Sequence, residues 1–361
     1  MQGFPSMAFA DIPPGLSIVA ARRLKRLKRL SRRTAIVGAG LAVPLIARAA
    51  GAPEITWRVG HGLPTDFPLH VRLIEAAGEI TARTGGRMRL EVYGNSELGG
   101  SAGLFSQLRA GTIDIVPMTS QALSPNLAVS ALPRIGFAFN GYDRVWAALD
   151  GQVGVFLRQQ IHERLGLIAM DRCWNFGFRQ VTTSGRLVTT AADIAGMRLR
   201  TPPDADIVDL FQALKALPVA MSLSDMDHAL NRHEVEGQEG ILPLVKAAHL
   251  ERYQTICALT NHIWDGYWMC VAGRSWSNLS DNFKEIVAAA LNNGGLNQRK
   301  DTLDAESGNR QELEADGMKF NTVDPGSFRS VLREAGYYDR WRHKIGDDGW
   351  AALLKYTGRL S

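Results

Sequence analysis

The stretch Met197-Arg198-Leu199-Arg200-Thr201-Pro202-Pro203 alternates apolar and basic residues and then stops at a proline pair. Such alternation reads as a short strand. The prolines end it and force an extended exit. Arg200 therefore stands at the carboxyl end of a strand, where open α/β sheets present ligand-binding groups. A fixed guanidinium there is a fork for a carboxylate. Taken alone, the same arginine reads more simply as a surface salt-bridge partner.

Outward from that strand the pattern is α/β. Ile55 to Val59 alternates as a first strand and ends at Gly60-His61-Gly62. Residues 68–84 carry apolar side chains at helical spacing (Leu69, Leu73, Ala76, Ile80) and stop at Gly85-Gly86. Strands are expected over 88–92, 113–118, 167–170 and 177–182, and helices over 104–108, 153–165, 205–216 and 224–231, with Ser224 as an N-cap. From Asp281 onward the chain reads as mainly helical and charged. Strands alternating with helices argue for a parallel or mixed sheet.

The 361 residues suffice for two domains with sizeable cores. The formal charge of +5 is local. Residues 1–49 hold nine Lys or Arg against Asp11, a net of +8, which leaves −3 for the rest. That remainder carries no nucleic-acid footprint. The basic cluster Arg22 to Arg33, the apolar run Ala35 to Ile46 and Ala47-Arg48-Ala49 form the three parts of an export signal, with cleavage expected after Ala49. Ser31-Arg32-Arg33 fits a twin-arginine signal except that Ala35 stands where that pattern prefers Phe; a general secretory signal is the alternative. The first twenty residues lack signal character, and Met7 is a second candidate start.

Chemistry-bearing motifs are few. Gly38-Ala39-Gly40 with Val43 lacks the third glycine of a dinucleotide fingerprint. His233-Glu234 is not followed by a second histidine, since Gly237 stands there, which excludes a zincin helix. No serine elbow, P-loop or histidine cluster occurs, so neither cofactor nor metal is expected. Cys173, Cys257 and Cys270 form no C-x-x-C; three buried thiols are expected over a Cys257–Cys270 bridge.

Ordered motifs instead point to recognition. They run Gly60-His61-Gly62-Leu63-Pro64, Thr84-Gly85-Gly86-Arg87, Asn95 to Gly99, Leu108 to Asp114, Gly177-Phe178-Arg179-Gln180, Asp193 to Arg200, Pro218 to Met221, Val235-Glu236-Gly237-Gln238-Glu239 and Thr260-Asn261-His262. In this order and spacing the chain resembles the extracytoplasmic solute-binding subunit of tripartite ATP-independent periplasmic (TRAP) transporters, the DctP family, from Ile55 to about Asp316. The resemblance implies two α/β lobes joined by crossing strands, with ligand enclosed between them. One lobe would span residues 54–176 and 266–305, the other 177–265 and 306–361. It implies a periplasmic protein, monomeric, that binds a small organic acid without catalysis and delivers it to separate membrane subunits.

The resemblance puts the carboxylate-binding arginine at Arg200 and a second arginine at Arg179. Trp264 and Tyr267, after Thr260-Asn261-His262, are expected at the cleft, with Trp174 beside them. His61, Thr119 and Ser120 at strand ends of the first lobe are candidates for the ligand's polar tail. Pro203 and Leu223 complete the expected lining. An aromatic wall facing an arginine suggests an acid with an apolar or ring portion. Three departures stand out. The family's Gln-Glu-Asn-Pro becomes Gln238-Glu239-Gly240-Ile241, so the ligand-holding Asn is missing at Gly240, and Pro133-Arg134-Ile135-Gly136-Phe137 replaces a more apolar loop. The Tyr of the preceding helix pattern is also absent, with Met226 and Asp227 in its neighbourhood. A secreted enzyme acting on a carboxylated metabolite, with Glu239 as its only candidate carboxylate, and a sensor presenting its closed form to a receptor are the rival readings.

Overall fold

The computed structural model describes residues 52–360; the expected export signal at 1–49 lies outside the described residues. Among the described residues there are eleven strands: β1 (Ile55–Gly60), β2 (Met88–Tyr93), β3 (Ile115–Thr119), β4 (Leu167–Ala169), β5 (Trp174–Thr183), β6 (Arg198–Thr201), β7 (Leu217–Ala220), β8 (Gly237–Ile241), β9 (Ile256–Leu259), β10 (Trp264–Ala272) and β11 (Lys319–Thr322). The hydrogen-bonded order is β2-β1-β3-β10-β5-β8-β6-β7, with β4 on β10 and the β9–β11 pair on β5.

The sheet has two halves. β1, β2 and β3 are parallel, and β10 runs antiparallel to β3. In the other half β6, β7 and β8 are parallel. Two strands carry the chain between them. Trp174 to Phe178 of β5 pair with β10, whereas Arg179 to Thr183 pair with β8. Likewise β10 pairs with β5 from Trp264 to Tyr267 and with β3 from Tyr267 to Val271. This is the two-lobed α/β architecture that the sequence implies.

Local chemistry accounts for the elements. Trp57 and Val59 are buried on β1, while Thr56 and Arg58 face out. The helix Pro68–Arg83 buries Leu69, Leu73, Ala76, Ala77 and Ile80 along one stripe. Its partner is the 35-residue helix Asp281–Ala315, started by Ser280 accepting from Phe283 N. An Arg72–Asp301 fork (2.5 and 2.8 Å) pins the two together. At its other end Lys246 reaches Asp316 (2.7 Å), so the long helix runs along both halves of the sheet. The helices Pro325–Glu334, Tyr337–Ile345 and Asp347–Thr357 close over residues 128–165 and 205–213. Tyr337 Oη accepts from Gly136 N and Tyr338 Oη donates to Gly136 O, both at 3.1 Å.

Two readings are refined, and the expected three buried thiols are found. Strand β3 starts at Ile115, because the Asp114 carboxylate turns back to accept from Arg58 N (2.7 Å). Ser222, not Ser224, caps the helix Leu223–Asn231 by accepting from Asp225 N. All three cysteines are buried free thiols. Cys257 sits on β9 opposite Thr182 and Cys270 on β10 opposite Val116, so strand pairing in different halves keeps them from bridging. Strands β7 to β10 escape a simple reading because they are short or buried on both faces and do not alternate: every residue of β8 and β10 is buried.

Candidate functional site

The carboxyl ends of the parallel strands β6, β7 and β8 meet at one edge of the sheet. Arg200 is the penultimate residue of β6 and pairs in register with Gln238 of β8, so their side chains share a face. Arg200 is 3% exposed. Its Nη2 donates to the carbonyl of Met221, just past β7, at 2.9 Å. Its Nε is buried without a partner. Among the described residues no carboxylate makes ion-pair contact with it. Burial pulls its pKa well below the usual arginine value, to about 10, with Glu239 opposing and Arg179 reinforcing the drop. At neutral pH Arg200 is thus a buried cation held by one carbonyl. Buried charges are normally paired, because removing them from water is costly. Such a group is chemically suited to accept an anion.

Arg179 is in a different state. Its Nε and Nη2 donate to the two oxygens of Glu239 at 2.5 and 2.7 Å. Glu239 is wholly enclosed and also meets His262 Nε2 at 3.1 Å. Burial pushes the Glu239 carboxyl up, but Arg179 and His262 outweigh it and hold it at about 2. Burial keeps His262 below its usual value despite Glu239. A neutral His262 therefore donates from Nε2 to Glu239 and accepts at Nδ1 from the Thr260 hydroxyl, 2.7 Å away. The fork of Arg179 is spent inside the protein, and only Nη1 is left over from it. One arginine is bound and one is open.

The remaining residues divide by packing. Gly240 pairs with Gln180 on β5. A Cβ there would lie 3.1 Å from Leu244 Cδ2 and 3.3 Å from Gln238 Oε1, so the position is closely packed and a side chain would have to push these neighbours aside. Trp174 is fully buried against the long helix: a Cβ on Gly295 would stand 2.7 Å from its ring, and its indole N–H donates to Leu291 O. Trp264 is also interior, edge-on to Trp146 (5.4 Å), with its N–H satisfied by Asn175. Both tryptophans are placed as packing groups. Tyr267 packs edge-on against Phe176, but its hydroxyl is buried without a partner. His61 is pinned between Leu63 N (3.2 Å) and His70 Nδ1 (2.9 Å) and is depressed to about 4 by burial and then by His70. Thr119 caps the turn 120–123 through Ala122 N. Ser120 donates its N–H to Asp265, while its hydroxyl is buried and unpartnered. Leu223 is half-buried at the start of its helix, and Pro203 is exposed.

Comparison with known proteins decides the class. Residues 59–336 match the family described as bacterial extracellular solute-binding protein, family 7. The chain belongs to that family. It is a solute-binding protein of the TRAP transporter type, not an enzyme. A solute-binding protein of Roseobacter denitrificans is 28% identical over 293 residues, covering 81% of this chain and 89% of that one. Its solved structure, with bound L-galactonate, superposes with a TM-score of 0.70 and covers 85% and 99% of the two chains at 24% identity. A TRAP periplasmic solute-binding protein from Polaromonas bound to D-erythronate is 26% identical, with a TM-score of 0.72 over 84% of this chain and 98% of that one. One from Ochrobactrum anthropi reaches a TM-score of 0.81 at 22% identity, covering 84% and 95%.

In this family 7 protein the departure at Pro133 to Phe137 has a physical consequence. Arg134 is buried amid three carboxylates, at 2.5 Å from Asp204, 3.5 Å from Asp265 and 3.8 Å from Asp206. Asp204 caps the helix that follows Arg200-Thr201-Pro202-Pro203, so the ion cluster fixes the exit of the arginine strand. Sequence reasoning missed this role, and it missed Gln238 and the Met221 carbonyl. Gln238 sits inside the Val235 to Glu239 motif, but only pairing across strands reveals that it adjoins Arg200. Among the described residues no helix is long and apolar enough to cross a membrane.

Proposed function

We propose that this protein binds an organic acid in the cleft between its lobes, with Arg200 taking the carboxylate, and delivers it to TRAP membrane subunits for uptake. The observation that carries the reading is the buried Arg200 guanidinium, with one carbonyl contact, an orphaned Nε and no carboxylate partner. A ligand carboxylate supplies both the countercharge and the missing hydrogen bond. Arg179, held by Glu239 and His262, shapes the site behind it. The lobes are residues 54–176 with 266–305, and 177–265 with 306–361. Ligand binds the closed arrangement better and shifts the population toward it. The segment 1–49 directs export to the periplasm, where the protein works as a monomer.

The bound L-galactonate and D-erythronate of the two relatives are hydroxy acids, and they favour that class over a ring-bearing acid here. The interior placement of Trp174 and Trp264 favours it too, since it takes both from the expected aromatic wall. A thermal-shift panel of hydroxy, keto, sugar and aromatic acids tests the proposal. Binding to the native state raises Tm by mass action. At least one carboxylate is expected to raise it, and the effect should vanish in Arg200→Met. A panel in which no carboxylate shifts Tm refutes the proposal.

A further inference from the structure

The two crossing strands change at one level. On β5 the partner switches from β10 to β8 between Phe178 and Arg179. On β10 the register shifts between Asp265 and Gly266, opposite Gly177 and Asn175. Gly177 has a φ of 120°, a backbone region that favours glycine. A break in strand pairing at such a residue is where a hinge absorbs a change of backbone angle. Glu306 fills the space beside this glycine: a Cβ on Gly177 would stand 2.7 Å from Glu306 Oε1. The same oxygen accepts from Tyr142 Oη at 2.6 Å, and Tyr142 packs edge-on against Phe178 with ring centroids 5.0 Å apart. Glu306 belongs to the long helix Asp281–Ala315, which runs along both halves of the sheet. One carboxyl thus joins that helix, the crossing strand and the helix Tyr142–Leu149.

The charged groups around it are committed elsewhere. On β5, Arg179 is bound to Glu239. On β10, Asp265 accepts from the backbone N–H groups of Ser120, Gln121 and Gly266. Asp143 and Arg144, next to Tyr142, are exposed. On its own helix Arg299 holds Asp150 and Arg310 holds Glu314, while Lys246 of the helix Leu242–Ala247 reaches Glu312 and Asp316. Among the described residues no cation makes an ion pair with Glu306. Half-buried and without a countercharge, the carboxyl is pushed up to about 7 by burial. The arrangement that encloses it is also the one in which Arg200 is shut from water, so both mark the closed form.

We propose that Glu306 is a proton-linked hinge residue: protonated, it lodges against Gly177 and holds the lobes closed; ionised, it draws water into the crossover and favours opening. Ligand binds the closed arrangement better, so uptake of a proton here and binding of the acid reinforce each other. This inference rests on the lobe-closure reading and not on the role of Arg200.

The experiment measures the distance between spin labels on the ligand-free protein. One label is carried by Ile74→Cys, exposed on the helix Pro68–Arg83, and the other by Leu217→Cys, exposed at the start of the edge strand β7; the native thiols are buried. The ratio of open to closed populations is expected to rise about tenfold between pH 5 and 7 and to level off above. Glu306→Gln keeps a neutral side chain of the same shape and should hold the ratio within about twofold over that range. Tyr142→Phe removes the hydrogen bond that favours the ionised carboxyl and should move the rise to higher pH. Urea midpoints check that the variants fold. A wild-type ratio that stays within about twofold, a rise of equal size in folded Glu306→Gln, or a rise left in place by Tyr142→Phe overturns the proposal. Closure of the same labels by D-erythronate or L-galactonate then leaves the closure reading standing. Labels that neither pH nor any acid of the panel moves overturn that reading as well.

Discussion

Replacing Arg200 by methionine should make the ligand-free protein more stable and unable to bind its acid. The fold lowers the arginine's pKa by burial, from its usual value to about 10, so the folded state disfavours the charged form that the unfolded chain carries. At 1.36 kcal/mol per pH unit, that drop amounts to about 3 kcal/mol against the fold at neutral pH. Solvent screening does not reduce it much, because only 3% of the residue is exposed. Methionine has similar reach and no charge. It forfeits the hydrogen bond to Met221 O, worth about 1 kcal/mol. A net gain of about 2 kcal/mol follows, in line with apolar replacement of buried ions elsewhere. The urea midpoint should rise with an unchanged slope. Calorimetry with D-erythronate and L-galactonate should show more than a hundredfold loss of affinity, since removing one partner of a buried charged pair costs about 3–5 kcal/mol. A midpoint that falls by about 1 kcal/mol or more would refute the reasoning. It would mean that the guanidinium is compensated within the fold and acts as a structural group.

Other outcomes follow from the same geometry. Glu239 titrates near 2 in the fold against 4.5 unfolded, so its pairing stabilises fully above about pH 4.5 and is lost as pH falls toward 2. Glu239→Gln should flatten acid unfolding in that window and, by leaving Arg179 buried without its countercharge, destabilise the protein by about 3–5 kcal/mol at pH 7; an acid-unfolding profile like the wild type's would sink the assignment. Glu306 behaves oppositely. Burial lifts it to about 7 against the hydrogen bond from Tyr142 (2.6 Å), so stability present at low pH is lost as pH rises through 7. Tm should therefore fall between about pH 4.5 and 7 and level off above it, and the fall should shrink in Glu306→Gln. Gly295→Val drives a side chain into Trp174, where the Cβ alone would be 2.7 Å from the ring; a loss of about 1–3 kcal/mol in urea melts is expected, with ligand preference unchanged.

The alternation at Ile55 to Val59 and the helical stripe of residues 68–83 were legible because each has one face buried and one exposed, so period and burial coincide; the Met197 to Arg200 strand was legible from its residue alternation and the prolines after it, although Arg200 itself is buried. Strand β10 was not legible: all nine of its residues are buried, and a segment with no exposed face carries no period. For the same reason Trp174 and Trp264 could be read as a cleft wall. An aromatic in a sequence shows its chemistry but not its neighbours, and Gly295 and Asn175 turned both into packing groups. The sequence alone determined the α/β class, the order of the recognition motifs and the presence of two arginines suited to an anion. Only the tertiary structure decided between those arginines. Arg179 and Glu239 are 60 residues apart, and cross-strand pairing brings Glu239 onto the first arginine, while among the described residues no carboxylate is in ion-pair contact with the second. Whether a charge is spent or free depends on what the fold places beside it, and that is a property of strand order.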